Sequence, residues 1–441
     1  MMTSHKPVAS NLGKGRTHDR RGILKLGATA ATLAAAKALF PSGVMAQGTG
    51  PEVKGTKLGY IALTDASPLV IAKEKGMFAK YGLPDMDISK QASWGATRDN
   101  MALGTKANGI DGGHILRPKT HLYSTGKVMQ NNQPLPTYTL LNLNEDCQGL
   151  SVSNEFKDLA IGTDAGALKE AFAKKKAAGK DVKCAMTFPG GTHDLWIRYW
   201  LAAAGIDPDK DVQTIVVPPP QMVANMKVGN MDAFCVGEPW NEQLVNQNIG
   251  FTAATTGEIW FKHPEKVLGM RADWVDANPK ATLAILAATM EAQIWCEKPE
   301  NKQEMAEIIG RRQWFNVPVA DIIGRIKGDI NYGRGKVAKG TNLGMKFWGK
   351  SGEVSYPWKS LDAWFVAENI RWGKFEPTLD IKALVNKTTR NDLWIEGAKL
   401  AGLSGFPTGD DRGVETFFDG KTFDWNNPTA YLNSLSVKRS A

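Results

Sequence analysis

Twice along this chain a short apolar run gives way to a helical pattern and then to another apolar run, and this alternation restricts the fold more than any other feature. Lys57 to Leu63 reads as a buried strand, and Ser67-Pro68 opens a helix with Ser as N-cap and Pro at the first position. Leu69, Ile71, Ala72 and Phe78 space its apolar face, and Gly82 ends it. A strand near Met86 to Ile88, a helix around Thr97 to Leu103 and a strand from Gly109 to Leu116 complete a β-α-β-α-β run. The plan recurs from Asp181. Val182 to Phe188 is a strand, Asp194 to Ala204 a helix closed by Gly205, and Thr214 to Val217 a strand. Gln221 to Val228 is a short helix and Met231 to Val236 a further strand. Such alternation predicts mostly parallel sheets covered by helices. Two units joined through the middle predict an α/β protein of two lobes.

After Gly269 the pattern turns helical, over Pro279 to Cys296, Asn301 to Arg311, Ser360 to Trp372 and Asp380 to Leu400. The expected organisation is a first lobe over 52–180, a second over 181–267, and a helical return to the first over 268–404. A tail over 405–441, rich in Gly, Asp and Asn, is expected to wrap the surface.

Residues 1–46 stand apart from this plan. Asp19-Arg20-Arg21-Gly22-Ile23-Leu24-Lys25 matches a twin-arginine export signal, and an apolar stretch from Leu26 to Leu39 follows. That stretch is well short of the roughly 20 apolar residues that span a bilayer. Val44-Met45-Ala46 offers the small residues of a cleavage site, and no cysteine lies nearby to take a lipid anchor. The expected product is a soluble periplasmic protein.

The leader also carries much of the charge. The whole chain is +9. Lys6, Lys14, Arg16, Arg20, Arg21, Lys25 and Lys37 against Asp19 leave about +3 once it is removed. Nothing then demands a nucleic-acid partner, which wants a concentrated basic face. Cys147, Cys184, Cys235 and Cys296 are far apart and form no C-x-x-C, so a zinc site or redox dithiol is not expected. Disulfides and free buried thiols both remain open. There is no G-x-S-x-G, no H-E-x-x-H and no phosphate loop, and no His/Cys/carboxylate group has metal spacing. No catalytic residue, metal or cofactor is expected.

Open α/β sheets bind ligands at the carboxyl ends of their strands, where helix N-termini present orphan N–H groups that suit a small anion. Three places fit: Ser93-Trp94-Gly95, Pro189-Gly190-Gly191-Thr192-His193, and Gly237-Glu238-Pro239-Trp240. The glycines allow close backbone approach, and Thr192 and His193 add donors. Against this, His193 suits a capping role, Gly-Gly a plain turn, Trp94 and Trp240 ordinary packing, and Glu238 a helix cap. His114, His121 and His263 read as structural.

Several blocks go further: Gly59-Tyr60-Ile61-Ala62-Leu63-Thr64-Asp65, Gln91-Ala92-Ser93-Trp94-Gly95, Ala185 to Asp194, Phe234 to Trp240, and Gly269 to Trp274. Together they resemble the nitrate-binding proteins of nitrate/nitrite ABC importers, whose sister group binds bicarbonate. The resemblance runs from about Lys57 to Leu400. It implies a two-lobed periplasmic-binding-protein-like fold of type II with the ligand in a cleft between lobes. It places Trp94, Gln148, His193, Gly237, Glu238 and Lys266 around the anion. Read alone, Lys266 is a solvated surface lysine; the resemblance makes it a cationic ligand contact, where bicarbonate binders use calcium and carboxylates. Many members are lipoproteins, whereas this chain reads as freely diffusing and monomeric.

Nitrate is planar and a weak acceptor, so burying it demands donors and compensating charge. Lys266 and a protonated or donor-tautomer His193 would supply these, with Gln148 completing the set, Glu238 holding Lys266 or His193, and Trp94 walling the cleft. The implied partners are nitrate or nitrite and an inner-membrane ABC permease. Other readings are a receptor for bicarbonate, an organic sulfonate or another small anion, a nitrate sensor partnering an RNA-binding regulator, and an exported enzyme.

Overall fold

Residues 50–438 are described by the computed structural model; the twin-arginine motif, the apolar stretch and the Ala46 cleavage site lie outside the described residues. Ten strands build two five-stranded sheets. They are β1 (Lys57–Tyr60), β2 (Asp87–Lys90), β3 (Gly112–Leu116), β4 (Thr137–Asn142) and β5 (Gln148–Ser153), followed by β6 (Lys183–Met186), β7 (Gln213–Val216), β8 (Ala233–Gly237), β9 (Gly250–Thr255) and β10 (Lys266–Arg271). The first sheet runs β2-β1-β3-β10-β4 and the second β7-β6-β8-β5-β9.

Each sheet holds the parallel strands that the alternation predicts plus one reversed strand. In the first, β1 is parallel to β2 and β3, and β10 is antiparallel to β3 and β4. In the second, β6 is parallel to β7 and β8, and β5 is antiparallel to β8 and β9. The reversed strands move two expected boundaries. β5 lies in the second sheet, although 148–153 was assigned to the first lobe, and Lys266 opens a strand of the first sheet rather than closing the second lobe. The chain therefore crosses between sheets twice, from β4 to β5 and from β9 to β10. The two crossings bond to each other: Leu143 N donates to Lys266 O at 2.8 Å, and Asp146 N to His263 O at 3.1 Å.

Local signals were followed where no tertiary contact opposed them. Ser93 caps the Trp94–Leu103 helix by accepting from Ala96 N. Ser67 sits one residue inside its helix instead, its hydroxyl donating to Thr64 O at 2.5 Å, because a 3-10 turn over Thr64–Ala66 runs directly into that helix. The expected helix from Asp380 to Leu400 is two helices, Ile381–Thr388 and Asn391–Leu400. It breaks where Arg390 N turns to bond Thr139 O of β4 at 2.9 Å.

The C-terminal helices do not all return to the first half. Pro279–Glu297 packs there, but Lys359–Arg371 serves both. Its Trp364 stacks on Trp196 with ring centroids 5.2 Å apart and meets Trp260 edge-on at 5.0 Å, both from the second half. Its Asp362, fully buried, accepts from Arg117 Nε at 2.7 Å and His121 Nε2 at 3.0 Å from the first half, and from Thr389 Oγ1 at 2.7 Å. The tail is pinned over this helix: Tyr431 donates to Glu368 at 2.6 Å, and Glu415 accepts from Trp260 Nε1 at 2.8 Å. All four cysteines are buried and free. Among the described residues no helix is long and apolar enough to cross a membrane.

Burial pushes the Asp362 carboxyl up, but Arg117, His121 and Thr389 overcome that and hold it at about 2. Asp362→Ala strands the Arg117 guanidinium in the interior. The expected loss is about 3–5 kcal/mol of unfolding free energy at pH 7, read as a lower urea midpoint.

Candidate functional site

The two crossings bring the candidate residues together. Gln148 and Lys266 are the first residues of β5 and β10, so each lies where the chain has just changed sheets. Gln148 pairs directly with Gly237, the last residue of β8. His193 is the second residue of the Thr192–Ala203 helix that follows β6. These are carboxyl-end and crossover positions, where open α/β sheets leave a crevice.

Lys266 is the centre. Its ammonium, with no exposed surface, lies 2.7 Å from Glu265 Oε1, 3.0 Å from Asp65 Oδ2, and 3.4 Å from both Gln148 Oε1 and His193 Nε2. Burial disfavours its charged form, but Asp65 and Glu265 outweigh burial and raise its pKa. Burial likewise pushes Asp65 up, while Lys266 and His114 hold it well below the usual carboxylate range. Glu265 also accepts from Thr192 Oγ1, and from Trp196 Nε1 at 2.8 Å. His114 Nε2 completes the Asp65 contacts at 2.5 Å.

His193 is a neutral donor. Burial, then Lys266, push its imidazole down to about 3. Thr187 Oγ1 lies 2.6 Å from Nδ1 and Gln148 Oε1 lies 3.0 Å from Nε2. Since that amide oxygen can only accept, the network assigns the proton to Nε2. Of the protonated and donor-tautomer forms, burial favours the neutral donor tautomer. Gly237 lies beneath, where a Cβ would come within 2.5 Å of Gln148 Oε1 and 3.4 Å of Asp65 Oδ2.

Two predicted residues are placed differently. Glu238 holds neither Lys266 nor His193. Its carboxyl is 3.1 Å from Arg325 Nη1 and accepts from Glu242 N at 3.2 Å, and burial, partly offset by Arg325, lifts it to about 7. Only its backbone turns toward the first half, where its carbonyl accepts from Thr64 N at 2.7 Å. Trp94 stands one ring back, its centroid 5.3 Å from that of His114. The Gly190-Gly191 turn does not open its backbone to a ligand. Asp194 takes the Gly190 N–H at 2.7 Å, and side chains at these glycines would strike Asn369, Leu122 and Leu116.

The residues that sequence reasoning missed are Asp65, His114, Glu265 and Thr187. Asp65 and Thr187 lie within the quoted blocks, yet no spacing marks a carboxylate that pairs with a lysine 201 positions away. Formal charge follows from this set. One ammonium, two carboxylates and neutral imidazoles make the cluster net negative, by one.

The whole chain, compared with known proteins, has clear relatives. A family model described as NMT1-like family matches residues 49–310. The nitrate/nitrite binding protein NrtA of Synechococcus elongatus is 55% identical over 399 residues, 90% of this chain and 89% of that protein. The bicarbonate-binding protein CmpA of the same organism is 46% identical over 398 residues, covering 88% of each. Among solved structures, the periplasmic nitrate-binding protein NrtA from Synechocystis PCC 6803 is 56% identical with a TM-score of 0.85, over 88% of this chain and 100% of that one.

Lys266→Met leaves Asp65 and Glu265 buried without their counter-charge, and is expected to cost about 3–5 kcal/mol at pH 7. A depressed carboxyl contributes stability that is present above about pH 4 and lost as pH falls. Without Lys266 that contribution of Asp65 shrinks, so urea midpoints of the variant fall less between pH 7 and pH 3 than those of the parent.

Proposed function

The chain belongs to the NMT1-like family, and on that footing we propose that it is a receptor that captures nitrate, or nitrite, outside the inner membrane and delivers it to an ABC importer. The observation that carries this reading is the convergence of Lys266, His193 and Gln148 over Gly237, at the point where both sheets meet. A planar anion with charge spread over three oxygens needs several weak donors around it. An ammonium, an Nε2–H and an amide supply them in one place. Trp94 walls this cleft behind His114. Glu238 acts at one remove, fixing the turn after β8 through Arg325.

Bicarbonate is the second reading, because CmpA is also similar. Against it, the Lys266 ammonium occupies the position between two carboxylates where a divalent cation would sit. A tethered ammonium there removes the need for calcium and suits a ligand bound without metal.

Gln148 and His193 come from the second half and Asp65 and Lys266 from the first. Contacts to a ligand from both sets exist only when the halves are together, so binding favours closure and marks the loaded receptor for a permease. The protein acts as a freely diffusing monomer in the periplasm, exported by the twin-arginine route and cleaved near Ala46, and it runs no reaction.

Calorimetry on the mature protein is expected to show nitrate binding stronger than bicarbonate binding, with or without calcium. His193→Ala is expected to weaken nitrate at least tenfold in a variant that still unfolds cooperatively, at a lower melting temperature; undiminished affinity would refute the site. Replacing Arg20 and Arg21 by Lys is expected to hold the chain inside the cell at precursor length, as a fractionation blot reads directly.

A further inference from the structure

The charge count of the Lys266 cluster leaves a question that a second lysine answers. Asp65 and Glu265 together exceed the charge of Lys266, and burial keeps His193 neutral, so a monovalent anion added there would join a site that is already net negative. Burying uncompensated charge of one sign is costly. Positive charge must come from a neighbour.

Lys119 is that neighbour. It opens the Lys119–Ser124 helix just past the carboxyl end of β3, as Trp94 follows β2 and Phe188 follows β6. Its ammonium is fully buried and lies 3.8 Å from the ring centroid of Phe188, 5.1 Å from that of Trp94 and 5.2 Å from that of Tyr123. It thus stands between the two halves, inside a cage of aromatic faces. One of its three protons goes to Trp94 O at 2.8 Å. Among the described residues no carboxylate comes within ion-pairing distance, in contrast to Lys266, Arg117 and Arg325. The nearest charges, Arg98 and Asp99, pair with each other at 2.8 Å. Burial drives the Lys119 pKa well down.

A second observation points the same way. Trp94 Nε1 and Tyr123 Oη, on two of the rings around Lys119, are buried and make no hydrogen bond within the protein. Buried donors seldom go unmatched. Here an ammonium with spare protons, an indole N–H and a phenol O–H gather in one corner with no protein acceptor to share. Trp94 connects that corner to the cluster, since its ring packs on His114 and His114 bonds Asp65.

We propose that Lys119 is a second anion-contacting residue of the cleft, which supplies, with the Trp94 N–H and Tyr123 O–H, the net positive charge that the Lys266 cluster lacks for a small monovalent oxyanion. The inference rests on the receptor reading above. It divides the labour: Lys266, His193 and Gln148 form a polar frame locked by its own ion pairs, and Lys119, with no carboxylate beside it, is the amine that becomes the anion's counter-charge. Aromatic faces hold a cation loosely enough, at about 0.5–2 kcal/mol each, for it to engage a ligand.

The test compares the mature protein with Lys119→Met and Lys119→Gln, using sodium nitrate as titrant, and records thermal unfolding without ligand. Nitrate affinity is expected to fall at least tenfold in both variants. The ligand-free melting temperature of Lys119→Met is expected to hold or rise, since a buried unpaired charge has been removed. Opposite movement of affinity and stability is what a packing strut would not produce. Parent-like affinity in both variants overturns the proposal, as does a melting temperature that drops in both. A folded parent that binds neither nitrate nor nitrite overturns the receptor reading instead, and this inference with it.

Discussion

The ammonium of Lys266, gripped by Asp65 and Glu265, is the interaction on which the rest of the site depends. It joins residues from separate parts of the chain. Asp65 follows β1, and Glu265 and Lys266 end the return crossing from the second sheet. Because all three are fully buried, none can be satisfied by water, and the two carboxylates keep the ammonium charged. Gln148 and His193 then have little freedom. Gln148 donates to Asp65 at 3.2 Å and accepts from His193, whose other nitrogen is held by Thr187. The frame is rigid because it is charged.

That rigidity sits where the molecule has most reason to move. Both crossings meet at Lys266 and Gln148, so any rotation of one sheet against the other turns about the site. The Lys359–Arg371 helix opposes such rotation. Separating the halves breaks either the Asp362 bonds to Arg117 and His121 or the Trp364 stack on Trp196. A buried aromatic stack opens at lower cost than a buried ion pair that leaves a charge behind. The helix is held from both sides, by the Asp362 bonds on the first half and on the second by the tryptophan cluster and the Asn369 bond to Gly190 O at 3.1 Å.

Much of the fold was legible from periodicity, because buried strands and amphipathic helices announce themselves locally. What escaped was settled by distant partners. β5 reads Gln-Gly-Leu-Ser-Val-Ser and follows β4 in the chain after a short connection; only its pairing with β8 and β9 assigns it to the second sheet. The helix over 380–400 has no breaker of its own, and the Thr139 carbonyl supplies one. At the site, Lys266, His193 and Gln148 were legible through a resemblance rather than through chemistry, since nothing local separates Lys266 from a surface lysine. Asp65, His114 and Glu265 stayed hidden for the same reason. Glu238 reads as holding Lys266 or His193, since a carboxylate cannot favour an anion directly, yet its carboxyl faces Arg325, a residue no local pattern links to it.

A receptor for a weakly basic anion meets two demands that conflict. Donors must be fixed in place, which calls for ion pairs and burial, yet net positive charge must remain, which ion pairs remove. A single lysine cannot serve both. Lys266 is fixed, at the expense of its charge, by two carboxylates. Lys119 has no carboxylate to neutralise it, because its surroundings are rings, which hold a cation only through their faces. Burial lowers its pKa and an arriving anion raises it, so ligand and positive charge stabilise each other. Dividing the work between a paired cation and a caged one resolves the conflict, and it explains why the cleft has a tryptophan and a tyrosine whose polar hydrogens point at no protein acceptor.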